Sequence, residues 1–319
     1  MAEDFMLFAI RAKNTIKKFG NLIESNKIWE LDEEELEYKL LVITTLNNNE
    51  QYLTEEEKEV LKKANAFAAN LNKKCKEKPL TQEEQKVLKI LLANTILYGN
   101  KTVDKDALAI LINNYISSQE TFSTTDLLLY TQHVFNYLNE NQGNNTKLKF
   151  TYTNANAIME AEKTPDNENI IKINESIFED KEEVSKKQFH ELLMAITSGL
   201  LHESFHIREF EYLKRAKNIE QEELFNDILI ATNKEEYDKH HDSLLLERKA
   251  NEYAINNLPY VLQGIVPEEE ITSYQNKLKK TIKITPSKEY TEKKEKLVQD
   301  AKELLTPEGV EILRENYKK

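Results

Sequence analysis

Apolar residues recur every three or four positions through most of the chain, which is the spacing of one face of an α-helix. In the N-terminal part this pattern predicts helices over residues 3–26, 104–118 and 124–139. Gly20 is a candidate stop for the first of them, because glycine commonly follows the last turn of a helix. The pattern therefore predicts a multi-helix unit over residues 1–140.

Two capping signals predict further helices in this unit. Thr54-Glu-Glu-Glu57 and Thr81-Gln-Glu-Glu84 each place a glutamate three residues after a threonine, and each precedes apolar residues at helical spacing. In a capping box of this kind the two side chains satisfy each other's backbone N–H groups at the start of a helix. Residues 30–37 are strongly acidic, and we interpret them as a solvated face or as an acidic helix start.

The pattern changes after a polar, glycine-containing segment at residues 139–145, which we interpret as a domain boundary. Alternating apolar and polar residues, rich in β-branched and aromatic types, then predict β-strands. The expected strands cover residues 148–153, 155–162 and 169–174.

Helical spacing returns over residues 186–214. Gly199 in this helix either allows close approach of the sheet or of a substrate, or is tolerated without benefit. A further helix is expected over residues 217–232, and the charged segment 234–242 is predicted to be a loop. The next helix is predicted from Ser243 to about residue 256, with Asp242 or Ser243 as its N-cap and Pro259 beyond its end. We place a second domain at residues 146–262 and a helical C-terminal extension at 263–319.

Composition narrows the class of protein. Only six glycines and six prolines occur in 319 residues, which favours long helices, and the predicted class is α+β and predominantly helical. A net charge of −12 argues against nucleic acid and anionic membranes as partners. The single cysteine excludes a disulfide framework and suits a reducing cytosol. Without an N-terminal signal or an apolar run of about 18 residues, we expect a cytoplasmic protein, with non-classical export left open.

The chemistry centres on His202-Glu-Ser-Phe-His206, an H-E-x-x-H motif on the predicted helix 186–214. Residues four apart lie on one face of a helix, so two imidazoles at this spacing can bind one Zn²⁺. Glu203 stands beside the first of them, where it can reach a water on the metal. The motif predicts a zinc site that needs a third protein ligand.

Glu247 on the following helix is the preferred third ligand, and it competes with His240, His241 and Asp242. Asn251 lies one turn after Glu247 and is expected to accept a hydrogen bond from the non-metal nitrogen of His202.

The order of these motifs resembles that of gluzincin metallopeptidases, in which H-E-x-x-H is followed by a helix carrying E-x-x-x-[DN]. More narrowly, Glu247-Arg-Lys-Ala-Asn-Glu-Tyr-Ala254 resembles the E-x-E-A-[DN]-x-F-A motif of the ImmA/IrrE-type family, and the resemblance covers residues 146–260. Lys249 departs from that motif where the family usually has a second acid. The resemblance implies a small zincin-like sheet packed on the H-E-x-x-H helix. It also implies His202, His206 and Glu247 as zinc ligands and Glu203 as catalytic base.

We therefore expect a zinc metallopeptidase that hydrolyses peptide bonds of an intracellular protein target. Four residues are candidate oxyanion donors: Tyr237, His240, His241 and Tyr260. Glu209 lies on the ligand face of the helix, where it could support a ligand, but we interpret it as a surface charge or as the partner of Arg208 or Lys214. The alternative is a catalytically inactive, metallopeptidase-like helical scaffold that binds a partner protein. The sequence does not indicate an oligomeric state.

Overall fold

The computed structural model describes residues 2–99, 102–142, 145–151, 158–166, 168–178, 183–215, 217, 220, 223–224, 227 and 234–304. Within these residues the protein is mostly helical, with one two-stranded and one three-stranded sheet. The predicted α+β, predominantly helical class is confirmed. No helix in the described part of the chain is long and apolar enough to cross a membrane.

The chain divides into two compact units, each assembled from more than one stretch of sequence. One comprises Met1–Asn144, Lys149–Tyr152 and Asn174–Leu193, and the other comprises Asn145–Leu148, Thr153–Ile173 and Met194–Lys319. The domain bounds expected from sequence, 1–140, 146–262 and 263–319, stay predictions.

Six helices of the first unit follow one another along the described N-terminal part of the chain. They are α1 (Ala2–Glu24), α2 (Glu33–Asn47), α3 (Glu55–Glu77), α4 (Gln82–Tyr98), α5 (Lys105–Leu111) and α6 (Thr124–Gln142). Both predicted capping boxes are present, at Thr54 for α3 and at Thr81 for α4. The acidic stretch is a helix start, since the Asp32 side chain accepts a hydrogen bond from the backbone N–H of Glu35 at the beginning of α2.

Gly20 does not end the first helix, because α1 continues to Glu24. A Cβ atom at position 20 would lie 2.7 Å from Cγ1 of Val60 on α3. The glycine therefore permits close approach of two helices, although a glycine inside a helix costs about 1 kcal/mol relative to alanine.

Two small sheets occur in the described residues. Strands β1 (Thr121–Phe122) and β5 (Val184–Ser185) pair antiparallel. The other three strands are β2 (Thr146–Thr151), β3 (Met159–Lys163) and β4 (Asn169–Asn174), in the order β2-β4-β3. In the antiparallel pair of β3 and β4, Ala161 stands opposite Ile171. The predicted strands thus form, except that residues 152–157 of the first two lie outside the described residues.

The remaining helices carry the H-E-x-x-H motif and the segments after it. They are α7 (Lys186–Arg215), α8 (Lys234–His240), α9 (Leu245–Leu262), α10 (Glu268–Thr281) and α11 (Lys288–Leu304). A Cβ atom at Gly199 on α7 would lie 2.9 Å from Sδ of Met159 on β3. The glycine therefore allows the close approach of the sheet that its position in the helix suggested.

Two predicted boundaries in this part of the chain are wrong. Segment 234–242 is the helix α8 followed by a 3₁₀ turn at His241–Ser243, and Tyr237 of that segment packs against buried Leu244 and Tyr290. Helix α9 begins at Leu245, and neither Asp242 nor Ser243 caps it. Of the helix expected over residues 217–232, most lies outside the described residues.

Pro259 was expected beyond the end of α9, but it lies inside this helix. A proline has no N–H, so the carbonyl of Ile255 four residues earlier loses its helical donor. The side-chain amide of Gln275 on α10 donates to that carbonyl over 2.6 Å. A contact from another helix thus makes the proline acceptable inside α9.

We predict that Gln275→Met lowers the free energy of unfolding by about 1–3 kcal/mol, because it leaves a helix carbonyl unsatisfied. In a Pro259→Ala background the new N–H can bond to Ile255, so the same change should cost much less. Urea unfolding followed by circular dichroism measures both differences, with Gln263→Met at an exposed glutamine as the control. Equal costs in the two backgrounds would contradict this account.

Candidate metal centre

Two imidazoles of the candidate centre come from consecutive turns of α7. The ring centroids of His202 and His206 lie 4.8 Å apart, and their Nε2 atoms are separated by 3.1 Å. Two ring nitrogens so close together, each carrying a lone pair or a proton, require a cation or a shared proton between them.

Glu247, in the first turn of α9, brings its carboxylate to the same point. One oxygen lies 3.2 Å from Nε2 of His202, and the other lies 3.4 Å from Nε2 of His206. Zinc binds nitrogen and oxygen tetrahedrally at about 2.0–2.1 Å, which separates neighbouring ligand atoms by about 3.3 Å. The separation of the two Nε2 atoms, and that of each Nε2 from its nearer carboxylate oxygen, are close to this value, so the donor set fits a zinc ion.

Both histidines have a second partner that orients the ring. Nδ1 of His202 lies 2.9 Å from Oδ1 of Asn251, as predicted, and Nδ1 of His206 lies 3.3 Å from the Glu209 carboxylate. An acceptor at Nδ1 favours the tautomer whose proton is on Nδ1, which leaves the Nε2 lone pair for a metal.

Glu209 is therefore more than the surface charge that we expected. Its carboxylate faces His206, three residues before it on α7, although the side chain remains 38% exposed. Positions three apart are neighbours on a helix surface, and this spacing was the signal available in the sequence.

The electrostatic environment of the cluster keeps the Glu247 carboxyl group ionised and the His206 ring protonated. Burial alone would raise the pKa of Glu247, but hydrogen bonds from His202 and His206 outweigh it and hold that pKa well below its usual range. Burial alone would lower the pKa of His206, but Glu209 and Glu247 raise it to about 10. A metal at this point would therefore displace a proton from His206.

Glu203 points from α7 towards the strand β3. Burial raises the pKa of its carboxyl group, against the opposing effect of His202 and His206. The backbone N–H of Ala161 hydrogen-bonds to the same carboxylate and also favours its charged form. A glutamate with a raised pKa beside the two imidazole rings of the candidate centre is suited to accepting and returning a proton.

The candidate oxyanion donors differ in how closely they approach the cluster of His202, His206 and Glu247. Nε2 of His241 lies 3.3 Å from the Glu247 carboxylate, and the ring of Tyr237 meets His241 edge-on at 5.3 Å. His240 is buried, with its ring 5.7 Å from that of Tyr290.

Tyr260 and Asp242, the other residues considered for this site, point elsewhere. Tyr260 is 70% exposed and lies on α9 at about 20 Å from Glu247, since each helical residue adds about 1.5 Å. Asp242 is exposed, and its nearest described partner is Nδ1 of His241 at 3.6 Å. Of the three competitors for the role of third ligand, His241 is thus the one that contacts Glu247.

Replacing Asn251 should weaken metal binding without touching a ligand. We expect Asn251→Leu to raise the zinc dissociation constant roughly 10- to 100-fold, because the His202 ring loses its orienting acceptor. Competition with a chelator measures the constant. Asn257→Leu, on the same helix, serves as the control, because the Asn257 amide bonds only to a backbone carbonyl of α9 in the described contacts. Unchanged affinity in Asn251→Leu would remove this residue from the site.

Zinc affinity should increase with pH between about pH 6 and 8, with roughly one proton released per ion. The reason is that the raised pKa of His206 keeps its proton in place through this range until zinc displaces it. Titration calorimetry in buffers of different ionisation enthalpy counts the protons. Binding heats that do not depend on the buffer would show that His206 carries no displaceable proton.

No protein-family model, curated protein or solved structure matches this chain. The likeness to the ImmA/IrrE-type family therefore stays a resemblance of motifs. The candidate centre is supported by its own geometry, in which His202, His206 and Glu247 offer ligand atoms within 4.8 Å of one another.

Proposed function

We propose that the protein is a zinc-dependent peptidase that hydrolyses peptide bonds of an intracellular protein target. The observation that carries the proposal is the meeting of His202, His206 and Glu247 within 4.8 Å, with Glu203 beside them. Cys75 is buried and forms no disulfide, which is compatible with a cytoplasmic location.

Each residue of the centre has a distinct part in this reaction. His202, His206 and Glu247 would hold zinc, which supplies a Lewis acid that polarises a carbonyl and makes water nucleophilic near neutral pH. Glu203 accepts the proton of the attacking water and returns it to the departing nitrogen of the substrate. Asn251 and Glu209 keep the two rings in the tautomer that binding requires.

The position of β3 supports an extended peptide as the substrate. Strand β3 stands at the end of the order β2-β4-β3, so within the described residues it has a strand neighbour on one side. Ala161 of this strand hydrogen-bonds to Glu203 through its backbone. A peptide that paired with the open edge of β3 would pass beside the proposed base, in the manner of β-strand addition.

Among the predicted oxyanion donors, the proposal assigns His241 to the developing negative charge. It is half-exposed and contacts Glu247, and Tyr237 packs edge-on against its ring. A donor in this position can reach a carbonyl presented to the same cluster.

We predict that Glu203→Gln retains stoichiometric zinc but lowers peptide hydrolysis roughly 10²- to 10⁴-fold, because the proton acceptor is lost while the ligands remain. Metal analysis gives the zinc content, and mass spectrometry of a synthetic peptide mixture incubated with each variant gives the cleavage. Glu191→Gln is the matched control, since it changes an exposed glutamate on the same helix.

A wild-type protein that holds no zinc would contradict the proposal. A second outcome would instead favour a scaffold that binds a partner without cutting it. In that case the protein holds a full complement of zinc, and the wild type and Glu203→Gln do not differ in peptide cleavage or in cellular activity.

A further inference from the structure

The first turn of α9, which carries Glu247, lacks a cap of its own. Its N-cap residue is Leu244, whose side chain cannot accept a hydrogen bond. The backbone N–H of Leu245 donates instead to Oδ2 of Asp227, over 2.7 Å. Asp227 is 7% exposed, so a buried carboxylate from outside the helix replaces the missing cap.

Asp227 is held in turn by the C-terminal helix α11. The hydroxyl group of Tyr290 donates to the second carboxylate oxygen, Oδ1. Tyr290 is fully buried, in a cluster with Leu244, and its ring lies against that of His240. The side chain therefore has little freedom, and its hydroxyl group defines where Asp227 lies.

Arg248, the residue after Glu247, forms a second connection to the C-terminal part of the chain. Its Nε donates to the carbonyl of Ser243 over 3.0 Å, and its Nη1 donates to the carbonyl of Ile284 over 3.3 Å. The guanidinium group also pairs with Glu223, whose carboxylate lies 3.3 Å from the ammonium group of Lys294 on α11.

These contacts flank the proposed metal ligand in sequence. Leu245 stands two residues before Glu247, and Arg248 stands one residue after it. The start of α9 can therefore neither fray nor rotate unless a buried polar contact breaks. Because Glu247 must meet two rings on another helix within about 0.5 Å, the placement of this turn decides whether all three ligands converge.

We propose that Tyr290, acting through Asp227, is a positioning residue for the metal centre, so that the C-terminal helix α11 determines metal affinity by fixing the turn that carries Glu247. The inference rests on the proposed function, because it requires that His202, His206 and Glu247 bind a metal. It adds to that function a dependence of the site on residues that touch neither metal nor substrate.

Tyr290→Phe tests the proposal by removing one hydroxyl group and preserving the packing of the ring. We expect the zinc dissociation constant to rise roughly 10-fold or more, as for other residues that support a metal ligand. With Co²⁺ in place of zinc, the visible absorption of a four-coordinate site should weaken as the Glu247 carboxylate leaves it. Zinc should also raise the melting temperature of this variant less than that of the wild type.

Glu289→Gln is the matched control. Glu289 is the neighbour of Tyr290 on α11, but its carboxylate pairs with Lys239 on α8 and not with the start of α9. If α11 had only a structural role, Tyr290→Phe and Glu289→Gln would both lose thermal stability. Both would then keep the zinc affinity and the Co²⁺ spectrum of the wild type. That result would overturn the proposal.

Two substitutions at Asp227 provide an independent measurement. Asp227→Asn keeps an acceptor for the N–H of Leu245 and a polar group for Tyr290, and it should retain most of the zinc affinity. Asp227→Leu removes both and should lose it. If the leucine variant does not fold, hydrogen exchange at the Leu245 amide in Tyr290→Phe replaces it, and faster exchange than in Glu289→Gln is expected. Equal zinc affinity in the two Asp227 variants, or equal exchange rates, would overturn the proposal.

Different results would overturn the proposed function and the role of Tyr290. A wild-type protein that binds neither Zn²⁺ nor Co²⁺ overturns the proposed function, and this inference with it. A wild-type protein that binds both ions, with Tyr290→Phe indistinguishable from it, overturns the inference alone.

Discussion

The centre depends on one costly arrangement, a carboxylate held out of water between two imidazole rings. The side chain of Glu247 is only 12% exposed, and desolvation of a charge without a partner would cost several kcal/mol. The rings of His202 and His206 offset this cost by hydrogen bonding, and the proton that His206 retains supplies an opposite charge. The cluster is thus stabilised as it stands, and the three side chains of the proposed metal centre are already assembled.

The helix that carries Glu247 is held in place by its neighbours. Its N-terminus depends on Asp227, and the carbonyl exposed by its internal proline depends on Gln275. A helix with a leucine at the N-cap and a proline inside has little stability by itself. Tertiary contacts therefore determine both where α9 begins and how it continues, and they also place the carboxylate that faces α7.

Local rules predicted what local contacts determine. Both capping boxes join residues three apart in sequence, and both are present. The alternating pattern over residues 169–174 likewise predicts a strand that is present. Asp227 and Tyr290 could not be found in this way, because they are 63 positions apart and their roles arise only when the chain folds. The predictions that Gly20 ends a helix and that Pro259 lies beyond one are wrong for the same reason, since the contacting residues, Val60 and Gln275, come from other helices.

The contact between Gln275 and the Ile255 carbonyl constrains the order in which substitutions can be accepted at two positions of this sequence. A glutamine at position 275 matters because position 259 is a proline, and a helix with any other residue there would satisfy the carbonyl by itself. Loss of the proline should therefore come before, or accompany, loss of the glutamine in any lineage that descends from this chain. The two positions are expected to vary together, although they are 16 positions apart and lie in different helices.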